Sequence, residues 1–150
     1  MRLLVQRSLK SSVSVNNKEV GKIDFGLVVL VGFTEGDTEQ EIEYLKDKLI
    51  NLRIFDDENG VMNKSLLDVK GSILSISQFT LYADTKKGRR PSYINALNGE
   101  KANVLYDSWN NALKSTGIHV ETGIFGADMK VNILNDGPTT ILLEKEGIKK

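Results

Sequence analysis

The stretch "GLVVLVGF", residues 26–33, limits the fold more than any other part of the chain. It carries no charge and shows no alternation of polar and apolar residues. It is far too short for a helix that crosses a bilayer, which takes about 20 residues. A short continuous apolar run fits a strand buried on both faces. Such a strand needs strand partners beside it and a layer of structure over each face. The rest of the chain must supply both.

It does so by changes of period. Residues 2–7 read as a strand. "SVSV" (12–15) alternates strictly, "NN" (16–17) turns the chain and "EVGKI" (19–23) returns, which predicts a hairpin. In "DTEQEIEYLKDKLINLRIF", Ile42, Leu45, Leu49 and Leu52 share one helical face, and Thr38 with Glu41 forms a capping box. The spacing predicts a helix over about 38–52. A second helix over about 99–115 puts Ala102, Leu105, Trp109 and Ala112 on one face, with Gly117 as its stop. "FDDENGVMN" (55–63) lacks the ligand spacing and terminal Glu of a calcium loop and reads as a solvated turn. "SILSISQF" (72–79) reads as a strand, and "IHVETGIF", "ADMKVNILND" and "TTILLEK" read as three closing strands. The expected fold is α/β: a β-rich single domain over residues 1–150, with mixed and antiparallel sheets and two main helices. At 150 residues and 40% hydrophobic content, the chain suits one core.

Composition narrows the chemistry. With no cysteine, disulfides, thiolate nucleophiles and Cys-ligated zinc are excluded. His119 is the single histidine, so a His-rich metal site is excluded and no metal or cofactor is expected. A Ser-His-Asp triad would have to use His119. In "GIHVETG" that residue alternates with Ile118 and Val120, which turns it outward, away from a core. Lysine plus arginine and aspartate plus glutamate balance at 20 each, which argues against a chain-wide polyelectrolyte binder of DNA or RNA but leaves room for a local basic patch. Arg2, Gln6 and Arg7 interrupt the apolar start "MRLLVQRS", so no signal peptide is read there. A soluble, cytoplasmic protein without a membrane partner is expected.

Three polar features remain. In "SQFTLYAD" (77–84), Ser77, Gln78 and Thr80 stand where an apolar strand gives way to a loop. Strand ends of this kind often present active groups, and just as often they are hydroxyls bonded to backbone. In "KKGRRPSY" (86–93), Lys86, Lys87, Arg89 and Arg90 would either be a solvated run or grip phosphates, with Tyr93 adding stacking. "NDGPTT" (135–140) holds one of two prolines, and spacing alone makes it a turn.

In order along the chain, "VQR" (5–7), "GLVVLVGF" (26–33), "LRIFDDENGVMN" (52–63), "SQFTLYADTKKGRRPSY" (77–93) and "GIFGADMKVNILNDGPTT" (123–140) resemble the D-aminoacyl-tRNA deacylases over nearly the whole length. The resemblance implies a homodimer that hydrolyses D-aminoacyl-tRNA, and glycyl-tRNA as well, at the 3′ end of the tRNA. It implies that Thr80 lies beside the scissile ester, with Ser77, Gln78 and Phe79 lining the site. It implies that Gly137-Pro138 is a cis dipeptide reaching into the partner's active site, where its carbonyls exclude L-amino acids. Phe125 and Met129 match pocket positions, and Arg7 matches the residue that holds the Gly-Pro loop. One departure is Thr139, where the family usually has Val. A tRNA-binding module without turnover and a purely structural β-rich dimer are the competing readings, and a hydrolase using His119 as base is a third.

Overall fold

The computed structural model describes residues 1–147. In chain order it runs β1 (Arg2–Ser8), β2 (Ser11–Val15), β3 (Lys18–Ile23), β4 (Gly26–Gly32), α1 (Glu39–Asn51), β5 (Phe55–Asp56), β6 (Met62–Lys64), α2 (Leu66–Val69), β7 (Ser72–Ser77), a 3-10 helix (Phe79–Tyr82), α3 (Gly99–Lys114), β8 (Val120–Thr122), β9 (Lys130–Asn132) and β10 (Asn135–Glu144).

The apolar run becomes β4, the middle strand of a five-stranded mixed sheet ordered β10-β1-β4-β7-β8. β1 pairs antiparallel with both β4 and β10, while β4–β7 and β7–β8 pair parallel. Both faces of β4 are covered, as its sequence demands. Leu27, Val29 and Val31 pack in one core cluster with Ile42, Leu45 and Leu49 of α1 and Trp109 and Leu113 of α3. Val28 joins Val13, Ile23, Leu74 and Ile76 in a second cluster, under the three-stranded sheet β3-β2-β9. The parallel entry of β4 and β7 is tight: a Cβ on Gly26, at φ +146°, would sit 1.9 Å from the Ser72 carbonyl oxygen.

Local signals account for the element ends. Asn16 and Asn17 turn the β2–β3 hairpin at φ 50° and 65°, the left-handed region that asparagine tolerates. Thr38 caps α1 with both halves of the capping box made: its Oγ1 accepts from the Gln40 N–H at 3.2 Å, and Glu41 Oε2 accepts from the Thr38 N–H at 2.6 Å. Asn98 caps α3 by accepting from the Lys101 N–H at 3.0 Å.

Four expectations change. A third, one-turn helix, α2, follows the capping box of Ser65 and Asp68; one turn is too short to show a period. The 55–63 segment is not only a turn but a small β5–β6 hairpin, with Asp57 Oδ1 accepting from the Asn59 and Val61 N–H groups at 2.8 and 3.1 Å. The strand expected over 72–79 stops at Ser77, and the chain coils into the 3-10 helix. The last strand begins at Asn135, not Thr139, so "NDGPTT" lies inside β10. Gln6 pairs with Thr140 and Ser8 with Asn135, which leaves residues 136–139 opposite Arg7 alone. The sequence that looks like a hairpin turn is a bulge of four residues in an edge strand, where the missing donor of Pro138 interrupts no ladder bond that the core needs.

Candidate functional site

β4 and β7 are parallel, so their C-terminal ends lie at one edge of the sheet. Open α/β sheets leave a crevice there. In this chain the crevice is a cavity of about 330 Å³. Val31, Gly32 and Phe33 form one wall, and Ile76, Ser77, Gln78 and Phe79 another; the rest comes from Gly99 and Ala102 at the start of α3 and from the β8–β9 loop through Phe125, Asp128 and Met129.

The end of β7 is held firmly. The Gln78 N–H donates to the Val31 carbonyl at 2.7 Å. The buried Tyr106 hydroxyl of α3 donates to the Ser75 carbonyl at 2.7 Å, and its ring meets that of Phe125 at 5.9 Å. Burial pushes the Tyr106 phenol upward, so it stays a neutral donor. The 3-10 helix then starts abruptly. Its first internal bond is from the Leu81 N–H to the Gln78 carbonyl at 3.3 Å. The N–H groups of Phe79 and Thr80 precede that bond and find no acceptor among the described residues, as the first donors of any helix do.

Of the residues singled out in the sequence, Ser77, Gln78, Phe79, Phe125 and Met129 come together around this cavity. Thr80 does not line it, but its Oγ1 accepts a hydrogen bond from Gln78 Nε2 at 2.5 Å. The walls from α3 and Asp128 were not foreseen, since nothing in their local pattern separates them from an ordinary helix start and loop. Asp128 is the one ionisable residue in the lining; it is exposed and pairs with Lys130 Nζ at 2.9 Å. His119 lies at the opposite end of β7, where its carbonyl accepts from the Ile73 N–H, and its exposed ring meets Glu121 Oε2 at 3.3 Å.

Gly137, Pro138 and Arg7 form a separate group. The Gly137–Pro138 peptide is cis, and both residues are exposed. Beneath them Arg7, only 7% exposed, donates from Nη1 to the Ile54 carbonyl at 2.9 Å and from Nε to the Asp136 carbonyl at 3.3 Å. Gly137 has φ +123°, and a Cβ there would meet Thr139 Oγ1 at 2.7 Å and Arg7 Nη2 at 3.1 Å. Thr139 is buried, and its N–H donates to Asn135 Oδ1 at 3.3 Å. Through the pairing of Ser8 with both Asn135 and Gly26, this group sits beside the start of β4. The cavity sits at the end of β4. At about 3.3 Å per residue, the strand holds the two roughly 15–20 Å apart.

Lys86, Lys87, Arg89 and Arg90 occupy an exposed loop. Asp84 and Ser92 close its base with two backbone bonds of 2.7 and 2.8 Å, and Gly88 turns its tip at φ +66°. Beyond the bridge, the Tyr93 and Phe79 rings meet edge to face with centroids 5.1 Å apart, so the loop joins the cavity wall. No helix among the described residues is long and apolar enough to cross a membrane.

Residues 4–144 match the family model for D-Tyr-tRNA(Tyr) deacylase. The chain is 55% identical over 146 residues to the D-aminoacyl-tRNA deacylase of Bacillus cytotoxicus, covering 97% of this chain and 100% of that one. It is 57% identical over 144 residues to the enzyme of the same name from Clostridium botulinum, covering 96% and 97%. Among solved structures it is similar to the c-Myc DNA Unwinding Element Binding Protein, with a TM-score of 0.92 and 39% identity over 98% of this chain and 100% of that one. A structure described as a probable eukaryotic D-amino acid tRNA deacylase superposes with a TM-score of 0.84 at 19% identity, over 95% and 97%, which is a likeness of fold.

Proposed function

The chain belongs to the D-Tyr-tRNA(Tyr) deacylase family, and from that premise we propose that it hydrolyses the ester that joins a D-amino acid to the 3′ end of its tRNA. It is a hydrolase of D-aminoacyl-tRNA, and residues 1–150 act as one deacylase domain in the cytoplasm. The observation that carries the reading is the cavity at the end of β7, where Ser77, Gln78 and Phe79 form a wall and two backbone N–H groups stand free beside them.

The lining offers no histidine, lysine or cysteine to act as base or nucleophile. The substrate needs little. An aminoacyl ester beside an ammonium group is already activated, and the vicinal 2′-hydroxyl of the terminal ribose serves to activate water. The protein's part is to hold the ester and stabilise charge. Orientation is worth roughly 7–11 kcal/mol in favourable cases. The Phe79 and Thr80 N–H groups act as donors to the oxyanion that forms at the ester's carbonyl oxygen. A structure with a substrate analogue whose carbonyl oxygen lies away from both groups would overturn this role. Phe125 and Met129 bound the substrate on the far side of the cavity.

Chirality is read by Gly137 and Pro138 of a second copy. Within one chain they lie at the wrong end of β4 to touch the cavity. They are exposed, and Arg7 braces them from below. A homodimer gives them a site to enter, with their carbonyls against the groups on the substrate Cα. A backbone wall there clashes with an L side chain and leaves a D side chain free. Glycyl-tRNA passes the same wall, since it has no side chain to refuse. Lys86, Lys87, Arg89 and Arg90 hold the tRNA phosphates, and alanine at all four flattens the salt dependence of tRNA binding; an unchanged slope would leave the loop a solvated run.

The test is a paired deacylation assay on D- and L-tyrosyl-tRNA. The wild type cleaves the D substrate and spares the L. Pro138→Ala loses activity or begins to cleave the L substrate. Equal rates on both enantiomers for the wild type, or unchanged rates on both enantiomers for Pro138→Ala, would sink the chiral role.

A further inference from the structure

We propose that Phe79 and Tyr93 form an aromatic step on which the bases just before the terminal adenosine of the RNA 3′ end stack, between the cavity and the basic loop. The inference rests on the deacylase reading and adds a binding subsite to it.

Three observations carry it. The first is exposure. Phe79 is 56% exposed, Tyr93 44% and the adjoining Ile94 85%. Large apolar side chains this open, grouped together, mark a surface that meets a partner. The second is geometry. The two rings meet at 70° with centroids 5.1 Å apart. An edge-to-face pair leaves at least one ring with a face open to a further π-system. The step is also rigid. The Asp84–Ser92 bridge fixes the chain just before Tyr93, and the Ala96 N–H donates to the Tyr93 carbonyl at 3.0 Å just after it. Thr34 Oγ1 anchors the segment further by donating to the Asn95 carbonyl at 2.5 Å.

The third is what the step connects. Phe79 is part of the cavity wall. Tyr93 follows the loop that carries Lys86, Lys87, Arg89 and Arg90, all exposed. A reactive pocket, an aromatic step and a cationic loop in sequence match a single strand of nucleic acid in their order of contacts. The terminal unit enters the pocket, the next bases stack, and the phosphates meet the cations. Stacking on aromatic side chains tolerates any base and is the usual means of holding single strands. Charge complementarity favours a polyanion here over an apolar protein surface.

The experiment compares two substrates with one reacting centre: D-tyrosyl-adenosine, and D-tyrosine esterified to the trinucleotide CCA. The wild type should prefer the trinucleotide in kcat/KM by about five- to hundredfold, the range for one stacked base. Tyr93→Ala should lower that preference about fivefold or more while leaving the adenosine ester's rate within about twofold, as loss of one stacked base requires. Tyr93→Phe should restore it. A preference unchanged in Tyr93→Ala, or an equal loss on both substrates, would overturn the step. So would a Tyr93→Ala protein that leaves the preference intact and sediments as a dissociated monomer, because the surface would then belong to a protein interface. Failure of the wild type on both esters would instead strike the deacylase reading beneath it.

Discussion

The Thr80 hydroxyl accepts a hydrogen bond from Gln78 Nε2 and does not reach the cavity lining. A nucleophile needs a base beside it, and neither Gln78 nor any lining residue other than the ion-paired Asp128 offers a carboxylate or imidazole. The bond positions Gln78 instead, and with it the start of the 3-10 helix. One neutral hydrogen bond is worth about 0.5–1.5 kcal/mol. Thr80→Val should therefore lower kcat on D-tyrosyl-tRNA by roughly 3- to 10-fold and no more. Rapid-quench kinetics on the variant measures this; an acyl group trapped on Thr80 in the wild type would refute it. At this scale the sequence was legible only in part. Ser77, Gln78, Phe79, Phe125 and Met129 were named through resemblance and share one cavity. Spacing alone does not separate Ser77 and Gln78 from ordinary strand-end polarity and gives no signal for Phe125 and Met129, because the loop that closes the cavity arrives some 50 residues later in the chain. Nothing in the structure explains why Thr stands at position 139.

Elements were legible where their signals are local. The unbroken apolar run predicts β4 because burial on both faces erases alternation. The Thr38–Glu41 pair predicts the start of α1 because a capping box is a matter of four residues. Burial pulls the Glu41 carboxyl upward, but hydrogen bonds from the Thr38 side chain and backbone outweigh it and hold the group below its ordinary 4.5. A depressed carboxylate lends stability that is complete above its unfolded value and is lost as pH falls through the folded one. Thr38→Ala should then cost about 1 kcal/mol near neutral pH and move the acid-unfolding midpoint to higher pH. Circular dichroism during urea and acid titration reads both; an unmoved urea midpoint would mean that the cap contributes nothing. β10 shows the opposite case. Asp136-Gly137-Pro138 has every local mark of a turn, yet its partner is β1, almost the whole chain away. No local pattern reports a pairing of that range, and so the spacing reads this bulge as a turn.

Across the whole molecule, the main fact is that β4 separates two groups which the proposed reaction needs together. If two copies share each site, then two differently damaged copies can make one intact site between them. A Pro138→Ala protein, deficient in activity or in selectivity, and a Gln78→Ala protein, slow on the D substrate, should recover D-specific deacylation when unfolded together and refolded as a mixture. About half of the chains then pair as mixed dimers by chance, each with one undamaged site. No recovery, with mixed dimers present by mass spectrometry, would place both groups in the same subunit's site. The fold as a whole was foreseen: an α/β chain with a mixed sheet, two long helices and covers on both faces of β4. The one-turn helix α2 and the β5–β6 hairpin were not, because each is too short to carry a period.

If Gly137 and Pro138 read chirality in a partner's site, as proposed, their placement at the far end of β4 makes accuracy a property of association. A lone chain would keep its cavity and its free N–H groups but have no wall against the wrong enantiomer. Dilution would then do more than slow this protein. It would change which molecules are destroyed, turning a proofreader of rare errors into a drain on correctly charged tRNA. Under that arrangement, the dissociation constant of the pair sets a fidelity threshold for the cell.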